Sequence, residues 1–168
     1  MKTLKEKLIE LRICEDAVKW TADKTIEEAW ATCPRGDWML CLFAKTNPED
    51  IKLLFLAKGH CANTVRHSRH SIKNEAIDAA IAFGNGKITK QELDKAANGA
   101  WDDSRAGYGR VASEAASEAA SKATYYSDYY AVSADYYAAT AAASATAKTL
   151  NQLLTANICR KYLPVPTI

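Results

Sequence analysis

The chain has 168 residues, enough for one domain with a real core and too few for two comfortable ones. Its 22 basic and 20 acidic side chains leave a formal charge of +2, so no global field draws it to duplex nucleic acid or to an anionic membrane. The five cysteines are odd in number and mostly set among apolar residues, which excludes a disulfide framework and reads as reduced, buried thiols of a cytoplasmic protein.

The opening MKTLKEKLIELRI is charged throughout and lacks the apolar stretch of a secretion signal. Leu4, Leu8 and Leu11 share one face of a short helix, and Glu15 and Asp16 start a second that carries Ala17, Val18 and Trp20. Thr25 and Glu28 have the spacing of a capping box and open a helix bearing Ile26, Ala29, Trp30 and Cys33, which Pro34 ends. Asp37 is then expected to cap an apolar helix from Trp38 to Lys45, with Trp38 as its inward anchor. The apolar run from Trp38 to Ala44 is far below the roughly 18–20 residues that span a bilayer. Thr46 or Asn47 caps the next helix, Pro48 sits in its first turn, and Leu53, Leu54, Leu56 and Ala57 carry it towards Val65.

The segment from His67 to Ser71 breaks the apolar pattern and reads as a turn. Ile72 to Phe83 is helical again, with Ala76, Ile77, Ala80 and Ile81 pointing inward, until Gly84-Asn85-Gly86 stops it. Thr89 and Glu92 make a second capping box for a helix around Leu93, Ala96 and Ala97. Gly99, Gly107 and Gly109 loosen the chain around Trp101. From Ala112 to Ala147 alanine and tyrosine replace the aliphatic core formers, Val132 being the one exception, and with no Gly or Pro the stretch should be helical. Tyr125, Tyr129 and Tyr136 lie within about 40° of one another on such a helix, and Tyr126, Tyr130 and Tyr137 repeat the spacing one residue later. A single helix from Asp103 to Tyr162 would be about 90 Å long, against a radius of gyration of roughly 15 Å for a domain of this size. The tract must break, most naturally at Ser133 to Asp135, before Leu150, Leu153, Leu154 and Ile158 carry the last helix to Tyr162. Pro164 and Pro166 end the ordered chain. The expected fold is all-α, a compact multi-helix array with a long Ala/Tyr-rich C-terminal helical region. It is one domain, with Trp-containing N-terminal helices in 1–70, Ala/Tyr-rich helices in 71–163 and a tail at 164–168.

Several groupings invite chemistry. Asn85 to Ile88 with Glu92 matches the second half of a calcium loop, but Ile81 and Phe83 stand where its first carboxylates belong, so a helix-turn-helix is the better reading. His60, Cys61, His67 and His70 offer metal-ligand atoms whose spacing does not converge on a closed site, so no metal and no cofactor are expected. Arg66, Arg69, His70 and Lys73 form either a solvated helix end or an anion site, and Arg105 and Arg110 around Tyr108 suit a base stacked beside a phosphate. The face of Tyr125, Tyr129 and Tyr136 is core, an oligomer interface or a partner surface. Arg35-Gly36-Asp37 spells an adhesion tripeptide but sits at the start of an apolar helix. No cysteine carries a nucleophile's local signature, so no catalytic set emerges.

Three segments together resemble the Imm-five-like immunity proteins found beside bacterial polymorphic toxins and in phages. They are EEAWATCPRGDW (Glu27 to Trp38) followed by MLCL, the helix and glycine turn from Ala76 to Leu93, and the Ala/Tyr tract closing on CRKYLP at Pro164. Cys41 departs from the pattern, standing where a second bulky aromatic is expected. The resemblance implies a helical, non-enzymatic protein that neutralises a toxin by binding it, with Trp38 in the shared motif and no catalytic or contact residues to carry over. The alternative is a phage anti-defence sponge for a cyclic or signalling nucleotide, using tyrosines for the bases and Arg66, Arg69, Arg105 or Arg110 for the phosphates. A homo-oligomer is expected in either case, from the adhesive tyrosine face.

Overall fold

The computed structural model describes residues 2–64, 75–105 and 145–168, with the backbone alone for 99–105, 145–149 and 151. These residues form the expected all-α array, with no strand among them: α1 Leu4–Glu10, α2 Glu15–Trp20, α3 Ile26–Thr32, α4 Gly36–Thr46, α5 Ile51–Asn63, α6 Glu75–Gly84, α7 Lys90–Arg105 and α8 Ala145–Tyr162. Among the described residues no helix is long and apolar enough to cross a membrane.

Capping chemistry sets several of the starts. Thr25 Oγ1 accepts the Glu28 N–H at 3.2 Å while Glu28 accepts the Thr25 N–H at 2.9 Å, so two donors that α3 would leave unpaired are satisfied together. Thr89 and Glu92 do the same ahead of α7. A third box at Thr3 and Glu6 opens α1, from the same Thr-x-x-Glu spacing.

Four local expectations are corrected. Asp37 is not the cap of α4: the helix begins two residues earlier than expected, at Gly36, after Arg35, and Asp37 is buried inside the first turn. The helix after Pro48 starts at Ile51, because the Asp50 N–H closes a turn on the Asn47 carbonyl at 3.1 Å and the Thr46 hydroxyl is spent on Leu42 O inside α4. Gly99 does not loosen the chain, since α7 runs through it to Arg105. Nor do the prolines end the ordered chain: Leu163 and Pro166 are buried, Ile168 packs against the core, and its backbone oxygen accepts a hydrogen bond from Lys7 Nζ. The tyrosines of the Ala/Tyr tract and its expected break at Ser133 to Asp135 lie outside the described residues.

Two apolar clusters share α5. Leu54, Ala57 and Cys61 face the first, with Leu8, Trp30, Leu40 and Phe43 from the N-terminal helices and Cys159 and Leu163 from the end of the chain. Phe55 and Ala62 face the second, with Ala76, Ile77, Phe83 and Leu93, and Phe55 meets Phe83 edge-on at 5.4 Å. The α5–α6 pair packs at backbone range, because a Cβ on Gly84 would stand 2.5 Å from Leu56 Cβ.

The crossing of α4 on α8 is about as tight. A Cβ on Gly36 would lie 2.6 Å from Thr155 Oγ1 and 2.7 Å from the Thr155 carbonyl carbon, closer than real side chains approach. Beside it Cys159 Sγ donates to Gly36 O at 3.6 Å, and Arg160 Nη1 donates to Trp30 O at 3.2 Å and Cys33 O at 2.9 Å. The last helix therefore ties down the α3–α4 connection by its backbone. Gly36→Ala should lower unfolding stability in urea by about 1–3 kcal/mol, the usual cost of overpacking. Thr155→Ala should not rescue it, since the clash with the backbone carbon remains.

Candidate functional site

The short helices α1, α2 and α3, with the first turns of α4, line a cleft of about 40 Å³ that is partly open to solvent. Leu8, Ala17, Ile26, Trp30, Met39 and Leu42 are among its walls, and Trp20 and Trp38 complete them. The polar exceptions are satisfied: the Thr21 hydroxyl bonds Ala17 O and Val18 O, both at 3.1 Å, and Cys33 Sγ donates to Arg35 O at 3.3 Å. Both indoles are half-buried, 6.2 Å apart between ring centroids and tilted by 51°. Trp38 is thus a wall of this cleft, packed against the core from its edge, rather than the fully inward anchor expected from the sequence.

A cation covers each indole. Lys24 Nζ stands 4.2 Å from the Trp20 ring centroid and donates to Trp20 O at 2.6 Å. The Arg35 guanidinium lies 4.7 Å from the Trp38 centroid, held there by Asp37, whose carboxylate accepts from Nε at 2.8 Å and also from Nη2. Asp37 is only 2% exposed, so this pair works at low dielectric and fixes the angle of the guanidinium on the indole. Burial pushes the Cys33 thiol up to about 11, well above neutrality, which keeps it protonated and unreactive. The lining holds no carboxylate, imidazole or amine. It can desolvate and hold an apolar group.

Of the residues singled out in the sequence, Trp38 belongs to this cleft. Arg105 closes α7, with its side chain outside the described residues. Arg66, Arg69, His70, Tyr108, Arg110, Tyr125, Tyr129 and Tyr136 also lie outside them, as does the tyrosine face from which oligomerisation is expected. Of the four potential metal ligands, His60 stacks flat on Tyr162 with centroids 4.4 Å apart, and Cys61 Sγ donates to Thr155 O at 3.8 Å. Burial, and then Lys161, lowers the His60 pKa and favours the neutral ring in that stack. His67 and His70 lie outside the described residues, and among those described no three metal-binding side chains converge. Glu92, the last matching position of the calcium-like loop, is engaged by Thr89. Sequence reasoning missed Trp20, Lys24 and Arg35 as site residues. The one available signal was the i, i+4 spacing of Trp20 and Lys24, which lets a lysine fold back over a ring.

No known family model matches this chain, and no curated protein or solved structure shows significant similarity to it.

Two outcomes follow from this geometry. Asp37→Ala should cost about 2 kcal/mol in chemical denaturation, the scale for removing a buried, charge-assisted hydrogen-bond partner. An unchanged midpoint would show the Arg35–Asp37 pair to be neutral. Iodoacetamide at pH 7.5 should label Cys14, the exposed thiol, and spare Cys33, Cys41, Cys61 and Cys159 until the protein is unfolded. Mass spectrometry of native and denatured samples reads the difference.

Proposed function

We propose that this chain is a non-enzymatic binding protein of bacterial or phage conflict that neutralises a toxin by occluding it. The observation that carries this reading is the half-buried Trp20–Trp38 pair at the apolar cleft, each ring under a fixed cation. Tryptophan and arginine dominate the hot spots of protein interfaces because they bury much area at small conformational cost. Here the indoles are already held in place by Lys24 and by the Arg35–Asp37 pair, so little ordering entropy remains to oppose association. The chemistry of the lining supports binding over catalysis, since its thiol is held protonated and its hydroxyl is bonded to backbone.

The stretch from Glu27 to Trp38 that resembles the immunity-protein signature supplies Cys33, Arg35, Asp37 and Trp38 of this site, and the MLCL that follows supplies Met39 and Leu42. The likeness and the cleft therefore fall on the same residues. The nucleotide-sponge alternative draws on Arg66, Arg69, Arg105 and Arg110 with the tyrosines, and the cleft lends it no support.

Co-expression with a toxin encoded beside this chain should restore growth of a sensitive host, and the two proteins should elute together from size exclusion. Growth arrest despite expression, or separate elution, would overturn the toxin-neutralising reading.

A further inference from the structure

We propose that the Trp20–Trp38 cleft receives one aromatic or branched aliphatic side chain from an acidic segment of a protein partner, whose neighbouring carboxylate pairs with Lys24. This deepens the protein-binding reading above and rests on it for the nature of the occupant.

The size of the cleft argues for a single side chain. Its free volume is about 40 Å³, a few times the roughly 10–15 Å³ that one water needs on the same measure. One ring or branched chain is of the size that these apolar walls can hold. The apolar lining gives such a group its driving force, because polar groups inside are already satisfied by backbone.

Charge decides what flanks that side chain. Arg35 is committed to Asp37 at the back of Trp38. Lys19, on the neighbouring helix, is paired with Glu15 at 2.6 Å. Lys24 differs: it spends one donor on Trp20 O, lies on the Trp20 face, and makes no ion pair with any described carboxylate, although Asp23 and Glu27 stand exposed close by in sequence. An ammonium has three donors, so two remain beside the Trp20 ring that walls the cleft. A carboxylate on the residue next to the inserted side chain would meet them there, giving a charge-assisted hydrogen bond beside a desolvated patch.

N-Acetylphenylalanine carries this chemistry in one small probe, and N-acetylphenylalaninamide is its neutral twin. Titrated into the full chain, the acid should shift the indole N–H resonances of Trp20 and Trp38, assigned through Trp→Phe variants. The amide should bind roughly two- to fivefold more weakly, the range for one exposed ion pair. Lys24→Met, which keeps the stem over Trp20, should remove that difference. Equal binding of acid and amide to the native chain would overturn the role of Lys24, and unmoved Trp20 and Trp38 resonances would overturn the cleft. With the neighbouring toxin, Lys24→Met should weaken the complex by a similar factor. A complex of unchanged affinity would overturn this inference while leaving the toxin-neutralising reading in place. Absence of any complex, with acid and amide still distinguished, would overturn that reading and the protein occupant together.

Discussion

Everything near the cleft depends on one close approach, the backbone contact between Gly36 in α4 and Thr155 in α8. Only a residue without a Cβ allows the Thr155 backbone so near, and that proximity lets Cys159 reach the Gly36 carbonyl. The next residue, Arg160, holds the carbonyls of Trp30 and Cys33. The connection between α3 and α4 is therefore clamped at both ends by a helix from the far end of the chain. Since Arg35 belongs to this connection and Trp38 follows two residues after Gly36, the clamp also sets the aim of the site.

A second constraint acts on the rings. Tryptophan left at a surface normally gains by turning inward, where its area can be buried. Trp20 and Trp38 stay half-exposed because their outer faces are already occupied by Lys24 and Arg35, and Asp37 below holds the guanidinium from inside the first turn of α4. Asp37 thus gives up the capping role its residue type favours for an ion pair with more consequence for the site. At a position near the positive end of the helix dipole its charge remains well placed.

How much of this the sequence showed follows the range of the interactions. The capping boxes at Thr25 and Thr89 and the stop at Gly84 to Gly86 are encoded within four residues, and they stand in the structure as read. The start of α4 is not legible locally, because Gly36, not Asp37, meets Thr155, a neighbour more than a hundred residues away. Nor is the order beyond the C-terminal prolines, because Leu163 and Ile168 pack against helices at the other end of the chain. Trp38 was found through a local motif. Trp20 and Lys24 were not, because their pairing with Trp38 and Arg35 exists only once α2 and α4 meet.

The clamp by α8 also places a demand on the order of folding. The bond from Cys159 to Gly36 closes a loop of 123 residues, and the one from Arg160 to Cys33 closes 127. Loop-closure entropy for such a length is about 4 kcal/mol, which the contacts of α8 must offset. During synthesis the short helices α1 to α3 leave the ribosome long before α8 exists to dock on them. The tryptophan cleft thus acquires its final shape only once α8 has been made and has docked.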